Sequence, residues 1–402
     1  MKTVFLSMLT IAALASCSRQ DFIDPNDGNN PGGPGEGKGM MVEVTINGTS
    51  LSKAAGVATN ANDKTITDLN VLGVASDGAV VSKAYFDGAN VAAEGDAGAK
   101  KVVFPTTDKT TTIYVIANAG EDLTTGSKAL NVNTIKQVMN ATGSLIVAGT
   151  PSNTPKQTEG NVLMSGSASV TPADPDAGEN AKSAVTLEYI AAKIILKSLK
   201  RSAGAEGTYK THFEFQNAIL TNVQTAAYYF KNNNSFIGDI QPGTPNSQRD
   251  AMIPVWATGK TGGTGAVVPD FNYAIPEVQN FDNTHPIEDI AYWYVFENSN
   301  GDPAKLTTLS IKYKWLRNSA DLDSWEELYF PISFVTGDGV AIEPGKAYEV
   351  SMTFKADLRP EDMGGGPGGG TDDPDKPVIP GDVDVTVTPT DWTATTIPDK
   401  EF

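Results

Sequence analysis

The chain has 402 residues, enough for two domains of ordinary size with tails to spare. Lys and Arg total 30 against 48 Asp and Glu, so the net charge is -18, and such a polyanion repels phosphate backbones; nucleic acid is not an expected partner. The one cysteine, Cys17, falls inside a targeting signal, which excludes disulfides, cysteine catalysis and Cys-based zinc sites from the mature chain.

The opening "MKTVFLSMLTIAALASC" has one Lys, an apolar run from Val4 to Leu14 and small residues before the cysteine. Leu14-Ala15-Ser16-Cys17 resembles the lipobox of bacterial lipoproteins, in which the signal is cut before the cysteine and the cysteine is acylated. Residues 1–17 are therefore read as a lipoprotein signal, with Cys17 as the lipidation site and the lipid as the membrane attachment. The stretch "SRQDFIDPNDGNNPGGPGEGKG" at 18–39 reads as a flexible tether. Met40–Ile46 then alternates, with Met40, Val42, Val44 and Ile46 on one side and Glu43 and Thr45 on the other, as a half-buried strand does.

The body reads as mostly β. Strands are expected at 66–74, 80–86, 111–118 and 161–170. In "TLSIKYKWL" (308–316), Leu309, Ile311, Tyr313 and Trp315 face one way and Ser310, Lys312 and Lys314 the other. In "YEVSMTFK" (348–355), Tyr348, Val350, Met352 and Phe354 oppose Glu349, Ser351, Thr353 and Lys355. One helix is expected, with Asn133 capping "TIKQVMN" and Ile135, Val138 and Met139 on one face. The pattern of "VTLEYIAAKIILKSLK" (185–200) fits helix or strand. Turn-rich "TPADPDAGENAKS" (171–183) divides the body into two β-rich parts, 54–182 and 183–358. After Leu358, about 23 Gly-, Pro- and Asp-rich residues form a linker that cannot pack a core. Only then comes "VDVTVTPTDW", at 383–392.

A search for catalytic chemistry yields little. His212 lies in a strand-like stretch and His285 in a turn, and neither is in a nucleophile motif. Gly259-Lys260-Thr261 lacks the earlier glycine of a P-loop, having Pro254 there. The acidic groups Asp174, Asp176, Glu179 and Asp372, Asp373, Asp375 have no EF-hand spacing and read as solvated turns. No enzyme, cofactor or metal is expected. Of the tryptophans Trp256, Trp293, Trp315, Trp325 and Trp392, only the last lies beyond the linker, where no local core exists to bury it.

The two end strands echo each other: V-E-V-T-I at 42–46 and V-D-V-T-V at 383–387. A lone strand is not stable in water, so each needs an open sheet position. Strand addition supplies main-chain hydrogen bonds and side-chain pockets. Val383, Val385, Val387, Trp392 and Ile397 would each contribute roughly 1.5–3 kcal/mol if fully buried, against a backbone ordering cost of about 1–2 kcal/mol per residue. The linker spans roughly 25 Å as a flexible chain, enough to reach a neighbouring molecule.

Several stretches in order resemble the fimbrillins, the FimA-like type V pilins of Gram-negative oral and gut anaerobes. "TDLNVLGVASDG" is similar to the family's opening strand, "TIYVIANAGE" to its Asn-Ala-Gly-ended strand, and "AYWYVFENSN" to its Tyr-Val-x-Glu-Asn stretch. "IEPGKAYEVSMTF" resembles the last body strand and "VDVTVTPTDW" the C-terminal tail. The resemblance implies two transthyretin-like β-sandwich domains, with 185–200 as strand. It also implies export as an outer-membrane lipoprotein precursor, proteolytic removal of an N-terminal segment (18–53), and polymerisation into extracellular fimbriae by C-terminal strand exchange from the tail at 359–402. The partners so implied are identical subunits joined head to tail, a trypsin-like maturation protease, and anchor and tip fimbrial proteins. The family's cut follows Arg, but no Arg lies between Arg19 and Arg201 here. The cut is expected between Lys53 and Ala54, with Lys64 the next candidate. In this reading Val42, Val44 and Ile46 belong to the displaced strand, and Val383, Val385, Val387, Trp392 and Ile397 to the donor. The alternatives are a non-polymerising surface lipoprotein and a tip adhesin, binding glycan or host protein.

Overall fold

The computed structural model describes residues 38–47, 65–88, 90–94, 99–130, 132–144, 146–147, 154–155, 161–173, 180–201, 212–221, 224, 226–232, 235–237, 272–280, 286–298, 307–316, 325–334, 342–354 and 383–391. Their regular structure is almost entirely β, as alternation predicts. Two sheets come from the N-terminal part. The first has the order β11-β1-β5-β4, comprising Ala181–Thr186, Gly39–Asn47, Ala99–Thr107 and Ala92–Glu94. The second has the order β12-β10-β6-β2-β3, comprising Glu188–Tyr189, Met164–Ser169, Thr110–Ala117, Asp68–Ala75 and Val80–Asp87. The chain leaves these sheets between Tyr189 and Ala191, a few residues beyond the 182/183 division read from the sequence.

The C-terminal part forms two further four-stranded sheets. One has the order β17-β13-β20-β21, comprising Ile287–Phe296, Ala191–Arg201, Lys346–Phe354 and Val383–Asp391. The other has the order β16-β14-β18-β19, comprising Asn272–Asn280, His212–Thr221, Thr308–Leu316 and Trp325–Ser333. Two small pairs complete the pattern: β15 (Ala226–Tyr228) with β7 (Thr142–Ser144), and β8 (Ile146–Val147) with β9 (Thr154–Pro155).

Facing apolar rows make the core. Leu69, Val71, Ile113 and Val115 of the second sheet are fully buried, as are Val42, Val44, Ile46, Phe104 and Val185 of the first. In the C-terminal part, Ile194, Leu196, Val350 and Met352 are buried, as are Phe215, Leu309, Ile311 and Phe330. Each fully buried side chain of this size contributes roughly 1.5–3 kcal/mol.

Three sequence expectations change in detail. The helix, α1 (Ile135–Met139), is capped by Thr134 and not by Asn133. Thr134 and Gln137 have the spacing of a capping box, and the Thr134 hydroxyl accepts from Gln137 N while the Gln137 side chain returns a bond to Thr134 N. The stretch 185–200 is strand, but Leu187 and Ile190 interrupt it as the chain passes between sheets. On β18, Ser310 is buried although it falls on the opposite side from Leu309 and Ile311, so both faces of the sheet are covered there.

Candidate assembly site

The N-terminal strand β1 lies inside its sheet, between two walls. It runs parallel to β11, with Val42, Val44 and Ile46 opposite Ala181, Ser183 and Val185. It runs antiparallel to β5, with Val42 and Val44 opposite Phe104 and Val102. The period of two sends Val42, Val44 and Ile46 inward, where all three are fully buried. The outer face carries Met41, Glu43 and Thr45; Met41 is exposed, and so is Val103 on β5. The Glu43 carboxylate pairs with Lys101 Nζ at 2.5 Å, at the partly exposed rim.

Both walls are held to the second sheet by contacts that do not involve β1. On β5, the Thr106 hydroxyl is 2.5 Å from the Ser82 hydroxyl of β3 and 2.5 Å from the Thr110 hydroxyl of β6. Gly73 permits this approach, because a Cβ there would lie 2.9 Å from Thr106 Oγ1 and 2.4 Å from Ser82 Oγ. On β11, Gly166 of β10 plays the same part: a Cβ would lie 2.1 Å from the Thr186 carbonyl oxygen. Ser183 Oγ also donates to the Ser169 carbonyl at 3.2 Å, and Thr171 and Lys182 exchange backbone hydrogen bonds.

The end of the second sheet is fixed by a buried polar clamp. Asn118 adopts φ 61°, in the left-handed region that Asn tolerates better than most residues. Its Oδ1 accepts from Thr67 N at 2.8 Å, and its Nδ2 donates to the Thr65 and Val162 carbonyls at 2.8 and 2.9 Å. The Asp68 carboxylate accepts from Ala119 N and Gly120 N at 3.0 and 3.1 Å. Burial pushes the Asp68 carboxyl above its usual range, and these backbone donors oppose that rise. In the C-terminal part, Glu297 acts similarly, accepting from Phe236 N at 2.9 Å and Ser235 Oγ at 2.8 Å. Burial also raises its carboxyl, with the two hydrogen bonds acting against it. The "ANAG" and "FEN" stretches thus have structural work, which their spacing alone did not reveal.

The C-terminal strand β21 sits elsewhere. Among the described residues it is an edge strand with one neighbour, antiparallel to β20, placing Val383, Val385 and Val387 in register with Phe354, Met352 and Val350. Of the residues singled out in the sequence, Val42, Val44 and Ile46 are brought together in one buried row; Val383, Val385 and Val387 lie on a separate sheet of the same chain. Cys17, Lys53, Ala54, Lys64, Trp392 and Ile397 lie outside the described residues, as do His285, Trp256, residues 259–261 and both acidic groups. His212 is on β14, and Trp293 is buried on β17. Among the described residues, no helix is long and apolar enough to cross a membrane.

Residues 266–392 match the family of FimA-like major fimbrial subunit proteins, in its C-terminal domain. This stretch takes in β16 to β21, including the edge strand and its partner β20. Over that stretch the chain is similar to the FimA-like fimbrial subunits. The resemblance to the fimbrillins read from the sequence holds. No curated relative matches the chain. Among solved structures, it is similar to a protein of Bacteroides eggerthii DSM 20697 assigned to cell adhesion, with TM-score 0.63 and 22% identity over 90% of this chain and 98% of that one. It is also similar to a fimbrilin (FimA) of Porphyromonas gingivalis W83, with TM-score 0.53 and 17% identity over 87% and 97%. These likenesses extend the FimA-like β-sandwich fold over both parts of the molecule.

Proposed function

We propose that this chain is a structural pilin subunit of a cell-surface fimbria, assembled by protease-triggered strand exchange and supporting adhesion. The precursor is exported, lipidated at Cys17 and held at the outer membrane. A trypsin-like protease cuts between Lys53 and Ala54, releasing β1 with the lipid. The C-terminal strand of a second subunit, from Val383 onward with Trp392 and Ile397, then enters the slot that β1 leaves. Anchor and tip fimbrial proteins would close the two ends of the fibre.

The observation that carries this reading is the placement of β1. It is a central strand with a fully buried apolar row, and its two walls are fastened to the second sheet without it. Its removal would expose three buried positions and two unpaired strand edges at once. While attached, β1 competes at an effective concentration on the order of millimolar. A neighbour's tail at micromolar concentration loses by about a thousandfold at equal intrinsic affinity, or ~4 kcal/mol. Cleavage removes that competitor. Head-to-tail donation does not close on itself and so builds a filament. Before assembly, β21 is paired with β20 of its own chain.

The test is a chain ending at Pro380. After protease treatment it is expected to remain monomeric, whereas the full chain forms ladders. Polymerisation of the shortened chain would show that the tail is not the donor. N-terminal sequencing of shed protein should begin at Ala54; a start at Cys17 would remove cleavage from the scheme. Fibre-free chains that bind a glycan array would instead indicate a non-polymerising adhesin.

A further inference from the structure

The slot occupied by β1 is marked with charge at one point. Glu43 is in register with Lys182 of β11 on one side, and its carboxylate reaches Lys101 of β5 on the other. An acidic residue therefore stands between two lysines, one from each wall. Its outward neighbours on the same strand, Met41 and Thr45, carry no charge. The inward row is specified as well, since positions 42, 44 and 46 are all fully buried and apolar.

From this pattern we infer that the incoming strand seats in a single register, with Val383, Asp384, Val385, Thr386 and Val387 taking the places of Val42, Glu43, Val44, Thr45 and Ile46. Asp384 then stands between Lys101 and Lys182 of the accepting subunit. This inference rests on the strand-exchange reading and adds the residues that choose the partner's alignment.

A strand shifted by one residue would send its whole apolar row to the outer face, so only shifts of two compete. Moving the donor so that Val385 takes the place of Val42 brings Pro389 to the place of Ile46. That position is inside a ladder with neighbours on both sides, where proline cannot donate its hydrogen bond. It also sets uncharged Thr386 between the lysines. Moving it the other way, with Val383 in the place of Val44, brings Gly381 to the fully buried place of Val42 and Pro380 beside it. That shift does put Asp382 between the lysines, but it empties a core position. Only the proposed register fills all three apolar places, keeps both prolines at or beyond the ends of β1 and meets the lysine pair with an acid. Lys101 and Glu43 are each about a quarter exposed, with side-chain accessibilities of 28% and 26%. A pair at such a rim selects alignment and partner more than it adds affinity.

The register is read by disulfide mapping in assembled fibres of processed subunits, which have lost Cys17. Thr386→Cys on the donor is combined in turn with Ala184→Cys, Lys182→Cys or Thr186→Cys on β11. Thr45 is in register with Ala184, Glu43 with Lys182 and Asn47 with Thr186, so each partner reports one alignment. Oxidation is expected to link subunits through Ala184→Cys. Linkage through Lys182→Cys or Thr186→Cys in its place would overturn the register while strand exchange stands. Fibres that form without linkage at any of the three positions would overturn strand exchange into this slot, and the register with it. A charge swap gives a second readout. The variant E43K/K101E/K182E keeps an opposite charge at each position of the precursor, yet with its own Asp384 it should extend ladders roughly tenfold more slowly than wild type. Adding D384K should restore the rate. A rate indifferent to the charge at position 384 would contradict the role of the lysine pair.

Discussion

The two end strands have almost the same sequence and opposite situations. β1 is enclosed by strands on both sides and buries its apolar row completely; among the described residues, β21 has one neighbour and lies at a sheet edge. Sequence pattern specifies which side of a strand is apolar, and the sheet position then decides how much that side is worth. A strand with two neighbours is hard to remove, and an edge strand is easily lent. In the proposed scheme a cut makes the first removable, and a long linker makes the second available.

The largest expected contrast follows from placing a charge in each strand. Val44→Asp in the uncut chain puts a carboxylate in a fully buried position, and the loss of stability should be about 4 kcal/mol or more. Val385→Asp in the uncut chain should lower Tm by about 5 °C or less, because only one edge pairing is disturbed, yet it should abolish ladder formation after cleavage. Thermal unfolding by circular dichroism, beside gel analysis of cleaved samples, measures both. Equal losses of stability would erase the distinction between the strands.

A second contrast separates accepting from donating. Asn118→Ala removes the clamp at the end of the second sheet and leaves buried backbone groups without partners, at a cost of about 2–3 kcal/mol. Such subunits should accept a tail poorly and still donate their own, so a mixture with wild-type subunits should give short capped ladders. Smaller still is Glu43→Ala, which removes one rim ion pair. It should cost the precursor about 0.2–1 kcal/mol, measured by urea unfolding, and less at high salt.

The subtlest effect is a slope with pH in the part that carries β21. Burial raises the Glu297 carboxyl above its unfolded value, so the folded chain binds that proton more readily than the unfolded one. The associated stability is present below the unfolded pKa and is lost as pH rises through the raised folded value. Stability of the wild type relative to Glu297→Gln should therefore fall from mildly acidic pH toward neutrality. A relative stability that rises over that interval would contradict the sign.

Local patterns were largely legible in the sequence. Alternation gave β1, β18 and β20 nearly to the residue, because a half-buried strand writes its two faces into neighbouring positions. The capping residue was missed by one place, since Asn133 and Thr134 are both good caps and Gln137 decides between them. What could not be read was pairing at long range. Nothing local says that β1 runs parallel to β11, that Lys101 and Lys182 flank Glu43, or that Asn118 ties down Thr65 and Val162. Each depends on segments brought together only by the sheets. The buried apolar row of β1 was therefore legible in the sequence, and its charged rim was not.

The central claim is that cleavage creates a vacancy for the tail. A synthetic peptide covering residues 381–402 tests it most directly, titrated against the chain ending at Pro380 before and after cleavage at Lys53. Each cleaved subunit should bind one peptide more than each uncut chain, whose open position is the edge of β20 that the removed tail occupied. Equal binding to both forms, or to neither, would contradict the account.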